Sequence, residues 1–391
     1  MIPYSQHRIR DEDREAVSKV LHSERLTQGP MVAAFEAGLC AATGAARAVA
    51  VSSGTSALQI ALQALGVGPG DEVLVPSLTF LATANAVLLA GARPVFVDVA
   101  SDTLALDPDD LASHLNERTR GAIVVHYAGH VADVDALRAR LAADHFLIED
   151  ACHALGAVDR GRPVGSRSEV ACFSFHPAKH ITTGEGGAIV TGSDALADRA
   201  LRLREHGMER VPGRFQGLGL PSAASAEQSG GWVYEMQTLS GNHRLPDFAS
   251  ALGLSQLSRL EENLAARRRI AQRYVERLAG EDRLVCLAEA PETRSAWHLF
   301  PILLDVDRIR GGRAAVYAAL HAEGIGVQVH YIPIHLQPYY RARLGTRFGD
   351  HPRTEAAYLR LLSLPMFPDL SEAAQDRVVD VLRGTLDRLA R

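Results

Sequence analysis

The sequence predicts an α/β fold, with a mainly parallel seven-stranded sheet in a large domain and a smaller α+β domain at the C-terminal end. Three features predict it. Short β-branched runs alternate with Ala/Leu-rich helical stretches through the first half, the rhythm of strand–helix–strand units. Several of these runs are apolar without interruption, as strands covered on both faces require. From Leu245 onward the pattern becomes helical and long.

The strands are expected at Ala48–Val51, Glu72–Val75, Pro94–Val97, Ala122–Val125, Phe146–Ile148, Val170–Phe175 and Ala188–Val190. Helices are expected between them, among others at Ser56–Leu65, Ala82–Ala90 and Ala132–Ala143. Val211–Gly231 is rich in Gly, Pro, Ser and Ala without periodicity and reads as a mobile surface loop. Leu245–Leu278 reads as a helical bridge between the domains. Strands near Leu299–Leu304 and Gly326–Val329 and an amphipathic helix at Ser371–Leu389 complete the C-terminal part. The boundary is placed at residue 250, giving domains 1–250 and 251–391.

Composition narrows the function classes. Of 391 residues 47% are hydrophobic and 22% charged, enough apolar chain for a core without staples. The net charge of −5 and the lack of a basic block argue against a nucleic-acid partner, and the run Arg267-Arg268-Arg269 sits in a helical pattern and reads as a solvated face. Four scattered cysteines without a CxxC pair fit reduced thiols in a cytoplasmic protein. No apolar run is long enough for a bilayer, and no HExxH or Cys/His spacing suggests a metal.

Three segments carry chemistry. Ser52-Ser53-Gly54-Thr55-Ser56 stands between a strand and a helix, where free N–H groups and the helix dipole can seat a phosphate. Small polar residues there also simply cap a helix, so both readings stand. Asp150 ends the apolar run FLIED, at the sheet edge where α/β proteins bind ligands. A carboxylate there can pair with a protonated pyridine nitrogen, or simply cap a helix or sit in a loop. Lys179 follows the strand that ends near Ser174 and precedes the turn Thr182–Gly187. A lysine that forms a Schiff base must lose its proton readily and approach its carbonyl closely. The order of phosphate seat, sheet-edge aspartate, lysine and glycine-rich return distinguishes Lys179 from a surface lysine.

These segments resemble the DegT/DnrJ/EryC1/StrS family of nucleotide-sugar aminotransferases. PYSQHRI, LTQGP, SSGTSAL, EDACHALGA, SFHPAKHITTGEGG, GNHRLPDFASALGLSQL and QVHYIPIHLQPYY carry the resemblance from about residue 3 to the end. It implies the type I fold of pyridoxal-5′-phosphate (PLP) enzymes. By the same resemblance Lys179 is the Schiff-base lysine and proton carrier, and Asp150 the partner of the ring nitrogen. Phe80 stacks on the ring, and His153 stands near its phenolic oxygen. Gly54, Thr55 and Ser174 contact the phosphate, with Asn242 reaching it from the neighbouring subunit of a homodimer. Tyr4, Leu26, Thr27, Gln28, Arg244, His330 and Tyr331 are implied in the nucleotide-sugar pocket. FHPAK, WVYEM and the QVHYIPIHLQPYY segment resemble the branch that uses L-glutamate to make UDP-4-amino-4,6-dideoxy-N-acetyl-β-L-altrosamine for pseudaminic acid. The sequence departs from the family at His243 and at His180, beside the lysine.

Other readings are a sister 4-aminotransferase, a sugar dehydrase and a non-catalytic sensor. The dehydrases of this family replace the lysine with histidine, and a sensor would be expected to lose Lys179 or Asp150. An α/β hydrolase or NAD enzyme would need GxSxG or GxGxxG, and neither is present in context. Around the lysine, His176 and His180 are candidates to touch substrate or merely to pack. Cys152 and Cys172 are expected as small buried hydrophobes, and His126 and His130 as lining of the sheet-edge crevice.

Overall fold

The computed structural model describes residues 1–219 and 230–391. The seven expected strands form one sheet: β1 (Arg47–Val51), β2 (Glu72–Pro76), β3 (Arg93–Val97), β4 (Thr119–Val125), β5 (Phe146–Asp150), β6 (Val170–Ser174) and β7 (Gly187–Thr191). Their order across the sheet is β1-β7-β6-β5-β4-β2-β3. Only β7 runs against its neighbours; the pairs from β6 through β5, β4 and β2 to β3 are parallel. The C-terminal ends of β1, β2, β4, β5 and β6 therefore share one edge.

Alternation along the strands builds a core on each face. Val49, Val51, Val73, Val75, Ile123 and Ile148 point toward the helices Gly54–Ala64, Leu81–Leu89 and Asp194–Arg204. Small residues such as Ala48, Ala50, Ala171 and Ala188 face the other way, beneath Phe35 and Leu39 of the helix Pro30–Thr43. A third cluster surrounds a small antiparallel sheet of β8 (Leu284–Cys286), β9 (Phe300–Leu304) and β10 (Leu361–Leu364), packed with Leu260–Leu278, Gly312–Ala322 and Glu372–Arg388.

Three expected elements change. The helix at Ala132–Ala143 shortens to Val134–Arg140, capped by Asp133 and ended where Leu141 turns extended. Leu245–Leu278 divides into Asp247–Leu257 and Leu260–Leu278. Arg259 leaves helical geometry between them and pairs with Asp13, a buried carboxylate that also accepts from Ser255 and Gln256. Gly326–Val329 is no strand, since Gly326 bonds Ile2 from one side and Gln328 bonds Ser363 from the other, and neither pairing extends into a ladder. Of the expected loop Val211–Gly231, residues 220–229 lie outside the described residues; on its flanks Met208–Glu209 pairs with Glu235–Met236. Among the described residues no helix is long and apolar enough to cross a membrane.

Candidate active site

The shared strand edge opens into a cavity of about 450 Å³. Ser53, Gly54, Thr55 and Ser174 line one end of it. The Ser53 hydroxyl accepts from the Ser56 N–H at 3.1 Å, so the capping reading holds for that residue. Gly54 and Thr55 nevertheless open the helix directly onto the cavity. A Cβ on Gly54 would stand 2.9 Å from the Ser174 Cβ, and one on Gly187 would stand 2.4 Å from the Ser53 carbonyl. Both glycines are thus required by close approach of β1, β6 and β7, and together they leave a backbone cradle at a helix N-terminus.

Asp150, the last residue of β5, is buried and lines the same cavity. It caps no helix. Its Oδ2 accepts from the Thr83 hydroxyl at 2.8 Å and its Oδ1 from the Cys152 N–H at 3.3 Å. Phe80 precedes the helix Leu81–Leu89 and keeps 54% of its surface exposed, which excludes it from the core. Its ring lies 5.7 Å from that of Tyr331 across the cavity.

Lys179 leaves a turn in which its N–H bonds the His176 carbonyl at 2.8 Å. Loss of water around its amine holds the pKa below the ordinary lysine range; Arg267 adds to this, while Cys152 and Asp150 oppose it. Four buried histidines surround the amine. Burial, reinforced by the charge of Lys179, holds His153 and His298 well below the usual imidazole range. Burial does the same for His180, here reinforced next by Arg267, and brings His330 down to about 4. His298 Nε2 is 3.5 Å from Lys179 Nζ. Tyr331 bonds His153 Nε2 at 3.1 Å, and His330 Nδ1 bonds Ser363 at 2.9 Å. A weakly basic group of imidazoles thus encloses an amine that gives up its proton readily.

The cavity also gathers Tyr4, His330 and Tyr331. It does not gather the other expected residues. Gln28 and Arg244 share a separate cleft with Glu36, Arg204 and Glu205. Leu26 and Thr27 are exposed, and the Leu26 carbonyl accepts from the Asp247 N–H. Asn242 bridges Glu205 beside β1 and accepts from the Arg244 N–H at 3.2 Å. His176 lines the cavity, whereas His180 packs and bonds the Ala296 carbonyl at 3.0 Å. His126 and His130 lie outside the crevice, because His126 bonds Glu149 at 2.8 Å and His130 packs edge-on against Trp297. Cys152, expected only to pack, lines the cavity. Thr83 and His298 were not singled out in the sequence, and Arg267, expected on a solvated helix face, is instead buried, its guanidinium bonded to the carbonyls of Trp297, His298 and Met366. Thr83 left only a weak signal in the sequence, a hydroxyl in the first turn of the helix that follows β2, at the sheet edge.

Residues 7–383 match the DegT/DnrJ/EryC1/StrS aminotransferase family. The spore coat polysaccharide biosynthesis protein SpsC of Bacillus subtilis (strain 168) is 37% identical over 386 residues, covering 98% of this chain and 96% of that relative. The putative sugar aminotransferase Spr1654 from Streptococcus pneumoniae, solved in PLP and PMP forms, superposes in its PMP form with a TM-score of 0.90 at 29% identity, over 99% of this chain and 100% of its own. Helicobacter pylori PseC, an aminotransferase of pseudaminic acid biosynthesis, superposes with a TM-score of 0.89 at 29% identity, over 99% of this chain and 100% of its own. The cavity fits PLP on its own chemistry: a hydroxyl-lined backbone cradle for a phosphate, a buried carboxylate for a ring nitrogen and a deprotonation-prone amine for a carbonyl.

The neutral imidazoles make the fold sensitive to acid. His130, His330 and His351 have pKa values pushed down to about 4 in the folded chain by burial, against an ordinary value of 6.5. Below pH 6.5 the unfolded chain therefore takes up protons that the folded chain refuses. Stability is full above pH 6.5, falls as pH drops toward about 4 and then levels. At pH 5.5 each of the three costs about 1 kcal/mol. Thermal unfolding is expected to shift clearly downward between pH 7.5 and 5.5. An unchanged midpoint would contradict the burial of neutral histidines.

Proposed function

The chain belongs to the DegT/DnrJ/EryC1/StrS aminotransferase family and is a PLP-dependent aminotransferase, and from that premise we propose that its substrate is a UDP-linked 4-keto sugar. In this reading it moves an amino group from L-glutamate to carbon 4 of a UDP-4-keto-6-deoxy-N-acetylhexosamine. The product is UDP-4-amino-4,6-dideoxy-N-acetyl-β-L-altrosamine, a precursor of pseudaminic acid. The observation that carries the proposal is one cavity holding the Lys179 amine, the Asp150 carboxylate and the hydroxyl-lined start of a helix. The likeness to PseC supports the choice of sugar.

Gly54, Thr55 and Ser174 would hold the cofactor phosphate, Asp150 would face its ring nitrogen, Phe80 would cover its ring and His153 would stand at its phenolic oxygen. Lys179 would hold its carbonyl carbon. Bound there, PLP supplies a sink for the electron pair left when a proton departs from the donor's α-carbon. Lys179 Nζ takes that proton in the first half-reaction and delivers one to sugar carbon 4 in the second, acting in turn as base and acid. Tyr4, His330 and Tyr331 stand on the sugar side. Asn242, Arg244, Leu26, Thr27 and Gln28 serve the cavity of the neighbouring subunit in a homodimer, which accounts for their distance from their own chain's cavity. The division into domains 1–250 and 251–391 belongs to the same reading; a separate apolar cluster around the small sheet supports it, while Ile334 and Tyr340 pack into the large sheet's cluster and residue 250 falls within the helix Asp247–Leu257.

A second reading has an observation of its own. SpsC is 37% identical and PseC 29%, so another 4-amino sugar, of the perosamine, bacillosamine or legionaminic acid type, is the alternative product.

Titration of the purified holoenzyme with L-glutamate is expected to bleach its visible band, and a UDP-4-keto-6-deoxy-N-acetylhexosamine to restore it. Restoration by a GDP-linked keto sugar alone, or a UDP-linked product with another ring configuration than the altrosamine, would select the second reading. No bleaching by any amino donor would overturn both. The shared site has its own test. Lys179→Ala and Asn242→Ala are each expected to be inactive, and mixed subunits to regain activity through dimers with one intact site. A mixture as inactive as its components would contradict sharing.

A further inference from the structure

We propose that His298 is a second member of the proton-transfer unit, its Nε2 accepting a hydrogen bond from the Lys179 ammonium without taking the proton. The inference rests on the reading of Lys179 as the residue that carries the substrate's proton. During that step the α C–H bond breaks and a third N–H bond forms on Nζ, while the electron pair passes into the cofactor's sink. The ammonium then has three protons. One N–H directed at His298 fixes the amine's rotation, leaving the others facing the carbon that must receive a proton.

Four observations carry this. His298 Nε2 stands 3.5 Å from Lys179 Nζ, and His298 lines the cavity while only 5% exposed. Its Nδ1 is buried without a hydrogen-bond partner among the described residues. His298 is also held firmly. Its ring lies 4.3 Å from that of His153 and 5.7 Å from that of His180. Arg267, 1% exposed, donates to the carbonyls of Trp297, His298 and Met366 at 3.1, 3.2 and 3.2 Å, pinning the backbone from which the imidazole reaches. Finally, burial makes the imidazole a very weak base, with the charge of Lys179 adding to the effect. It can therefore accept a hydrogen bond from the ammonium and still leave the proton on nitrogen.

The test uses the holoenzyme with His298→Phe, which keeps a ring against His153, and His298→Gln, which keeps an acceptor. His298→Phe is expected to retain the cofactor's visible band and to unfold at or above the wild-type temperature, because it removes an unpartnered nitrogen. Its single-turnover rate with L-glutamate is expected to fall about ten-fold or more, the size of a lost proton-transfer aid. The isotope effect with α-deuterated glutamate should rise, and His298→Gln should recover part of the rate. Wild-type rate and isotope effect in His298→Phe would overturn the inference. So would a rate loss that only tracks lost cofactor band or lost thermal stability, which marks a structural role. If His298→Phe does not fold, His298→Gln and His298→Asn decide by the same two readouts. Lys179→Ala separates the premise from the inference: a holoenzyme that borohydride still labels covalently in that variant sinks the reading of Lys179, whereas an unchanged His298→Phe sinks only the part given to His298.

Discussion

An amine can attack a carbonyl or take a proton from carbon only while it is unprotonated, and the site is built around that constraint on Lys179. Loss of water lowers the amine's basicity, and the fully buried Arg267, which among the described residues bonds carbonyl oxygens, pushes in the same direction. Asp150 and Cys152 push against it. The balance leaves the carboxylate free to face a ring nitrogen without turning the lysine into a permanent ammonium. The surrounding histidines obey the same constraint. A protonated imidazole beside the amine would be a second buried cation without a counter-ion, so burial keeps them all neutral.

The sheet topology is what delivers the lysine to that position. Parallel strands require a long crossover before the chain returns to the same edge. The single antiparallel strand, β7, removes that need. The chain leaves β6 at Ser174, bonds back on itself through Phe175 N–H to the Gly186 carbonyl at 2.8 Å, and enters β7 at once. Residues 175–186 thus remain at the edge where β5 ends in Asp150 and where the helix after β1 begins. Gly187 permits it, since any side chain there would meet the Ser53 carbonyl. The contact that seats the cradle and the contact that returns the lysine loop are therefore the same packing of β7 on β1.

The parts that depend on neighbours in sequence were legible. Short apolar, β-branched runs located all seven strands, because strands buried on both faces leave little polar phase to misread. Asp150 and Lys179 stood out because strand ends and glycine-rich returns mark the sheet edge locally. What was not legible depends on distant contacts. His298 meets Lys179 across 119 positions, and no spacing within AWHLF announces it. The break at Arg259 arises from its pairing with Asp13, 246 residues away. Gly326–Val329 had the composition of a strand, but Ile2 and Ser363 approach from opposite sides without forming a ladder. Leu26, Thr27, Gln28, Asn242 and Arg244 matched family positions, yet a single chain does not bring them to its own cavity.

The central claim is that Lys179 alone bonds the cofactor. Borohydride reduction of the purified holoenzyme, followed by proteolysis and mass mapping, would fix that bond wherever it exists. The account predicts a pyridoxyl-phosphate mass on the peptide containing Lys179 and on no other. A modified peptide lacking Lys179, or a protein with a visible cofactor band that reduction leaves unlabelled, would contradict it.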